Sequence, residues 1–218
     1  MGLDLVVEGC ARDGHEAEWR RMVDRAFRGD RLNEAEIERF AEISIPPYER
    51  LGAPRVGHDT AADDWIVAEK NARTPEEVAA VLREFHGYHV LDLLTSDGLP
   101  TYSNAALNDE LNETSFRGEF LRLCGDVLAK DLIDGAWDHK LPDAAIGYGK
   151  ALLEAADAAA AGHGPVRQPP KRGLLARLGL ARPAREPLPL DKQLAIVRAA
   201  GRWYVFWGER GHPIRAWS

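Results

Sequence analysis

Apolar and polar residues alternate over the first eight positions. Leu3, Leu5 and Val7 fall on one side and Asp4, Val6 and Glu8 on the other, a period of two that predicts a half-buried strand. The period then lengthens. Trp19, Met22, Val23, Ala26 and Phe27 recur at helical spacing, with Asp13 as the predicted N-cap, Glu16 at N3 and Gly29 as a left-handed stop. A second helix is predicted from Asn33, with Glu36 closing a capping box and Ile37, Phe40 and Ala41 as the face to be buried.

Pro46, Pro47 and Pro54 interrupt the periodicity, so residues 43–57 read as a long connection. Asp64-Trp-Ile-Val-Ala-Glu69 carries apolar side chains on both faces of an extended chain, which predicts a central strand. Thr74-Pro-Glu-Glu77 is the sharpest local signal: a capping threonine, a proline at N1 where its missing donor is harmless, and glutamate at N3. It opens a helix through Phe85 with Val78, Val81, Leu82 and Phe85 on its core side. Residues 86–94 fit a helix or a strand, and the turn Ser96-Asp-Gly98 before Thr101–Asn104 favours a hairpin near 88–104.

From Ser115 to about Ala160 the apolar spacing is helical throughout, with Pro142 opening the last helix of the run. Residues 163–189 are rich in proline and arginine and predict an exposed connector. Beyond it, Asp191 caps a helix using Leu194, Val197 and Ala200; Trp203–Trp207, the turn around Gly208–Gly211 and Ile214–Trp217 then predict a C-terminal hairpin buried on both faces.

Together these elements predict an α+β fold. Its mixed or antiparallel sheet takes the N-terminal strand, the strand near 64–69, the hairpin near 88–104 and the C-terminal hairpin; helices cover it, with a helical layer over 114–160. A predominantly α description stays open. The 218 residues, 45% hydrophobic and 29% charged, suffice for one domain over 1–218 carrying the connector.

Charge changes the functional picture. Residues 1–162 hold 17 basic and 32 acidic side chains, whereas residues 163–218 hold 11 and 3. An acidic body repels phosphate backbones and attracts basic surfaces, so the main body is not expected to bind nucleic acid. With no basic segment before an apolar stretch at the start and no apolar run near ~20 residues, a cytoplasmic location and no transmembrane segment are expected. The two cysteines, Cys10 and Cys124, read as separate thiols, and Cys124 as an inert core residue.

Phosphate-binding glycine loops, nucleophile elbows and helical zinc-protease motifs are absent from the sequence, and nothing in it calls for a cofactor. His58-Asp59 with Asp63-Asp64 could offer oxygen ligands to a divalent cation but reads first as a set of turn formers, which leaves two main candidate sites. Tyr48 and Arg50 on the proline-flanked connection, with Tyr102 and Asn104 at the end of the expected hairpin, are the polar and aromatic types that a binding surface uses. His86, His89 and Asp92 would share one face if their segment were helical, offering two imidazoles and a carboxylate to a metal. The expectation is a non-enzymatic intracellular binding protein, taking a basic protein partner or a small molecule. The alternative is a metal-assisted enzyme using His86, His89 and neighbouring carboxylates.

Overall fold

The computed structural model describes residues 2–93, 115–165 and 188–217. Along the chain, β1 (Asp4–Val7) and β2 (Cys10–Ala11) precede α1 (Glu16–Phe27), α2 (Glu34–Glu42), β3 (Ser44–Ile45), α3 (Pro47–Arg50), α4 (Thr60–Glu69) and α5 (Pro75–Glu84). Then follow β4 (Ser115–Arg117), α6 (Lys130–Gly135), α7 (Pro142–Ala160), α8 (Leu190–Glu209) and β5 (Ile214–Trp217). The fold is α+β, with small antiparallel sheets and helices. Two compact units divide the chain: Met1–Val7 with Leu99–Ser218, and Glu8–Gly98.

In the first unit β1 is the central strand of a three-stranded sheet in the order β4-β1-β5. Leu5 stands opposite Phe116 on one side and Ala216 on the other, and Val7 opposite Ile214. The alternation expected for residues 3–7 holds: Leu3, Leu5 and Val7 are buried together with Phe116, Ile214 and Ala216, while Asp4 points outward and pairs with Arg117 at 3.2 Å. Phe116 meets Trp203 of α8, their ring centroids 6.0 Å apart.

α7 and α8 form the body of this unit, and glycines set how closely they approach. A Cβ on Gly149 would lie 2.7 Å from the Gly201 carbonyl oxygen, and one on Gly201 would lie 2.9 Å from the Gly149 carbonyl oxygen. Backbones so close are possible only where both positions lack a side chain. Buried Gln193 ties the start of α8 down: its Oε1 accepts from Asp126 N, and its Nε2 donates to Asp126 Oδ2 and Leu188 O.

The expected C-terminal hairpin does not form. Residues 202–207 belong to α8, and only Ile214–Trp217 is a strand. Trp203, Tyr204, Trp207 and Gly208 are buried at i, i+1, i+4 and i+5, which is one helical face. A helix buried around much of its girth places aromatics on both sides of any two-residue alternation, which is how it imitates a strand. The helical layer over 114–160 is also corrected at its start: Ser115–Arg117 is a strand and Gly118–Leu123 a 3-10 turn. Phe116, Phe120, Cys124, Val127 and Leu128 are nevertheless buried. Cys124 donates to Phe120 O at 3.4 Å, and burial pushes its thiol up to about 12, so it stays protonated at neutral pH.

In the second unit β2 pairs with β3, Cys10 opposite Ile45, and α1, with Trp19 and Val23 buried, lies against β2. The Trp19 indole donates to Gly9 O at 3.1 Å. Asp13 is not the N-cap of α1, which His15 occupies without a side-chain bond; Gly29 does end the helix with φ of 89°. Of the three predicted pairs of N-cap and N3 residues, the other two form capping boxes, Asn33 with Glu36 and Thr74 with Glu77.

The predicted strand at 64–69 is instead part of α4. Its apolar residues sit where a helix needs them: Ala62 and Ile66, four apart, are buried against Val56 and Val90, with Trp65 beside them. Val81, Leu82 and Phe85 close the same cluster from α5 and its C-terminal end. Of the hairpin expected near 88–104, residues 87–90 pair with 54–57 and Leu91–Leu93 form a 3-10 turn; residues 94–104 lie outside the described residues, as do residues 166–187 of the connector.

Candidate functional site

The connection at 46–59 is where the second unit concentrates functional side chains. Pro46 is extended and Pro47 takes N1, so the chain turns at once into the single helical turn α3. That turn presents Tyr48, Glu49 and Arg50. The Arg12 guanidinium reaches both Glu49 carboxylate oxygens at 3.5 Å. Arg50 is exposed; its charge favours the thiolate of buried Cys10, but burial outweighs it and the thiol pKa is raised. Tyr48 lies against His89, ring centroids 6.0 Å apart, and His89 Nδ1 is 3.4 Å from Ala53 O.

Residues 54–57 and 87–90 run antiparallel. Val56 N donates to Tyr88 O at 2.9 Å, Gly87 N to Val56 O at 2.8 Å and Val90 N to Pro54 O at 2.8 Å. Gly57 and Gly87, with φ of 81° and 86°, turn the chain at the end of this pairing. Each bare glycine is covered by a side chain from the other segment. The His86 imidazole lies on Gly57, where a Cβ would come within 2.3 Å of its Cδ2, and the Arg55 guanidinium crosses Gly87 and donates to its carbonyl at 3.2 Å. His58 and His86 thereby stand side by side, both exposed, with ring centroids 5.2 Å apart. Asp59 accepts from Arg55 N at 2.7 Å and Asp63 from Gly57 N at 2.6 Å, so these carboxylates hold the backbone turn.

Sequence reasoning placed Tyr48 and Arg50 on an extended proline-flanked connection; both lie on the helical turn α3 within it. Tyr102 and Asn104 lie outside the described residues. The proposed metal set does not assemble: His86 turns to His58, His89 to Tyr48, and Asp92 is exposed on its 3-10 turn. Among the described residues no three His, Cys, Asp or Glu side chains converge as a metal site. The shared helical face that the set required is replaced by extended backbone at 87–90.

α2 departs from expectation in a way that bears on binding. Its stripe of Ile37, Phe40 and Ala41 was expected to be buried, yet no residue of α2 is, and Ile37 is 57% exposed. The arginines nearby are engaged: Arg25 with Glu36 at 2.5 Å, and Arg39 with Glu18 at 2.9 Å and Glu42 at 3.2 Å. These guanidiniums hold the Glu36 and Glu18 carboxyls below the usual range. Glu34 and Glu38, exposed on either side of Ile37, make no ion pair among the described residues.

The first unit holds a cluster that sequence reasoning missed. Lys140 is 6% exposed; its ammonium donates to Gly135 O and Asp138 O and lies 4.3 Å over the Tyr148 ring. Burial lowers its pKa to about 8, partly opposed by Asp138. Tyr148 donates to Leu132 O at 2.7 Å and meets Tyr204 edge-on at 4.8 Å. Burial raises both phenols, and the Tyr204 hydroxyl has no hydrogen-bond partner among the described residues. With two carbonyls and a ring face satisfying its ammonium, Lys140 fastens the end of α6. Nothing in Asp138-His-Lys140 distinguishes this lysine from an exposed one.

No protein-family model matches the chain, and no curated protein or solved structure is significantly similar to it. Among the described residues, no helix is long and apolar enough to cross a membrane.

Proposed function

We propose that the chain is a binding protein whose Glu8–Gly98 unit captures a basic protein partner, with the exposed Glu34, Ile37 and Ala41 face of α2 as the contact. The observation that carries this reading is the uncovered Ile37 between two carboxylates that no cation neutralises among the described residues. A helix that keeps Ile37 in water retains a favourable contribution that a partner can collect. Glu34, Ile37 and Ala41 share one face, with Glu38 beside it, so the complementary surface is an amphipathic segment bearing lysine or arginine around an aliphatic or aromatic side chain. The unit's surplus of acidic over basic residues, 20 against 12 over residues 8–98, speeds and orients that encounter.

The test is fluorescence anisotropy with a lysine- and arginine-rich amphipathic helical peptide and its charge-inverted counterpart. Only the basic peptide should bind, more tightly at low salt. Ile37→Asp and the double change Glu34→Lys, Glu38→Lys should each weaken binding by about ten-fold or more. Equal binding of both peptides, or unchanged affinity in both variants, would remove the proposal.

A further inference from the structure

We propose that His58 and His86 form a two-imidazole site for a late first-row divalent cation of the zinc, nickel and copper class. The separation of the rings fits that chemistry. Imidazole nitrogen binds such metals at ~2.0–2.1 Å, which puts the ring centroid ~3.2 Å from the metal, and two such rings at the tetrahedral angle have centroids ~5.2 Å apart. The centroids of His58 and His86 are 5.2 Å apart, with the ring planes inclined at 51°.

Both histidines are mounted on fixed backbone. His58 N donates to Arg55 O at 3.0 Å, and Asp63 clamps the neighbouring Gly57 N at 2.6 Å. His86 precedes Gly87, whose N–H is bound to Val56 O, and its ring rests on Gly57. The glycine at 57 therefore does two things: it takes a left-handed φ, and it leaves the space that lets the imidazole lie beside His58. Ligands held before the metal arrives lose less conformational freedom on binding it.

Because no third protein ligand converges here among the described residues, the remaining positions belong to solvent or to an incoming group. Such an open, nitrogen-rich site suits zinc, nickel or copper; magnesium and calcium prefer oxygen cages. Asp59, Asp63 and Asp64 lie within a few residues of His58 and make the local field favourable to a cation. The site is independent of α2 and of the partner reading.

Isothermal titration of the tag-free full-length chain with zinc alone, repeated with copper(II) and magnesium, tests the proposal. One equivalent of zinc and of copper(II) should bind, and magnesium should not. His58→Ala and His86→Ala should each weaken binding at least about ten-fold, whereas His89→Ala should leave it unchanged. Both substituted side chains are exposed, and an unchanged thermal melt without metal shows that each variant is folded. Electron paramagnetic resonance of the copper complex should show coupling to two imidazole nitrogens, reduced to one in either variant. No binding to the wild-type chain, binding indifferent to both substitutions, or loss of binding on His89→Ala would overturn the assignment.

Discussion

Lys140 shows how a single side chain acquires its role from burial. Its pKa in the folded chain, about 8, lies below its ordinary value of 10.5, so between these limits the unfolded chain holds the extra proton. Stability therefore rises with pH across that window, and below it does not change with pH through this group. Tyr148 and Tyr204 carry the opposite sign: their raised phenols favour the fold up to about pH 10, and the advantage is lost above it. A comparison of wild type with Lys140→Met cancels the tyrosines, which both chains share. In urea unfolding between pH 7 and pH 10, the wild type should gain on the variant by roughly 2–3 kcal/mol. At pH 7 the variant should already be less stable, because Gly135 O and Asp138 O lose their donor. Parallel stability curves would show that Lys140 does not titrate abnormally.

At the scale of elements, the α7–α8 contact depends on which glycine faces the partner helix. Gly147 and Gly149 lie on the same helix two residues apart, yet a Cβ on Gly147 meets nothing within 4 Å while one on Gly149 strikes the α8 backbone. Gly147→Ala should therefore stabilise by about 0.5–1 kcal/mol, the ordinary gain in helix propensity. Gly149→Ala should destabilise by about 1–3 kcal/mol despite the same gain, because the helices must separate. Thermal unfolding of the two variants gives opposite shifts in Tm; shifts of the same sign would contradict the close approach. The same scale explains where sequence reading succeeded. The capping boxes at Asn33 and Thr74 are made by residues three apart, so the local sequence contains all that forms them. The strand assigned to 64–69 failed because six residues with apolar groups on every side fit either period, and packing against Val56 and Val90 decided it.

Across the whole chain, the N-terminal strand and the C-terminal 30 residues belong to one unit: β1 is flanked by β4 and β5, and α8 packs on α7. Residues 1–162 alone lack α8 and β5 and with them Trp203, Tyr204 and Trp207, each at most 1% exposed. Large aromatics lost from a core cost ~3–5 kcal/mol each, against a total stability of about 5–15 kcal/mol. Hydrogen exchange on residues 1–162 should find the α7 amides unprotected, whereas those of the full chain are protected. Protection of α7 in the fragment would show that this helix folds without α8.

What the sequence by itself determined are the alternation of β1, the capping boxes at Asn33 and Thr74, whose partners lie three residues apart, the proline starts of α5 and α7, and the mixed α+β character. Tertiary structure alone decided whether an apolar stripe is covered. Ile37 and Val197 sit in equally regular helical patterns, yet one is exposed and the other fully buried. It also decided which histidines meet, because His58 and His86 are 28 residues apart in sequence and come together only when 54–57 pairs with 87–90. Periodicity records which side of an element avoids water; what that side rests against depends on where the rest of the chain returns.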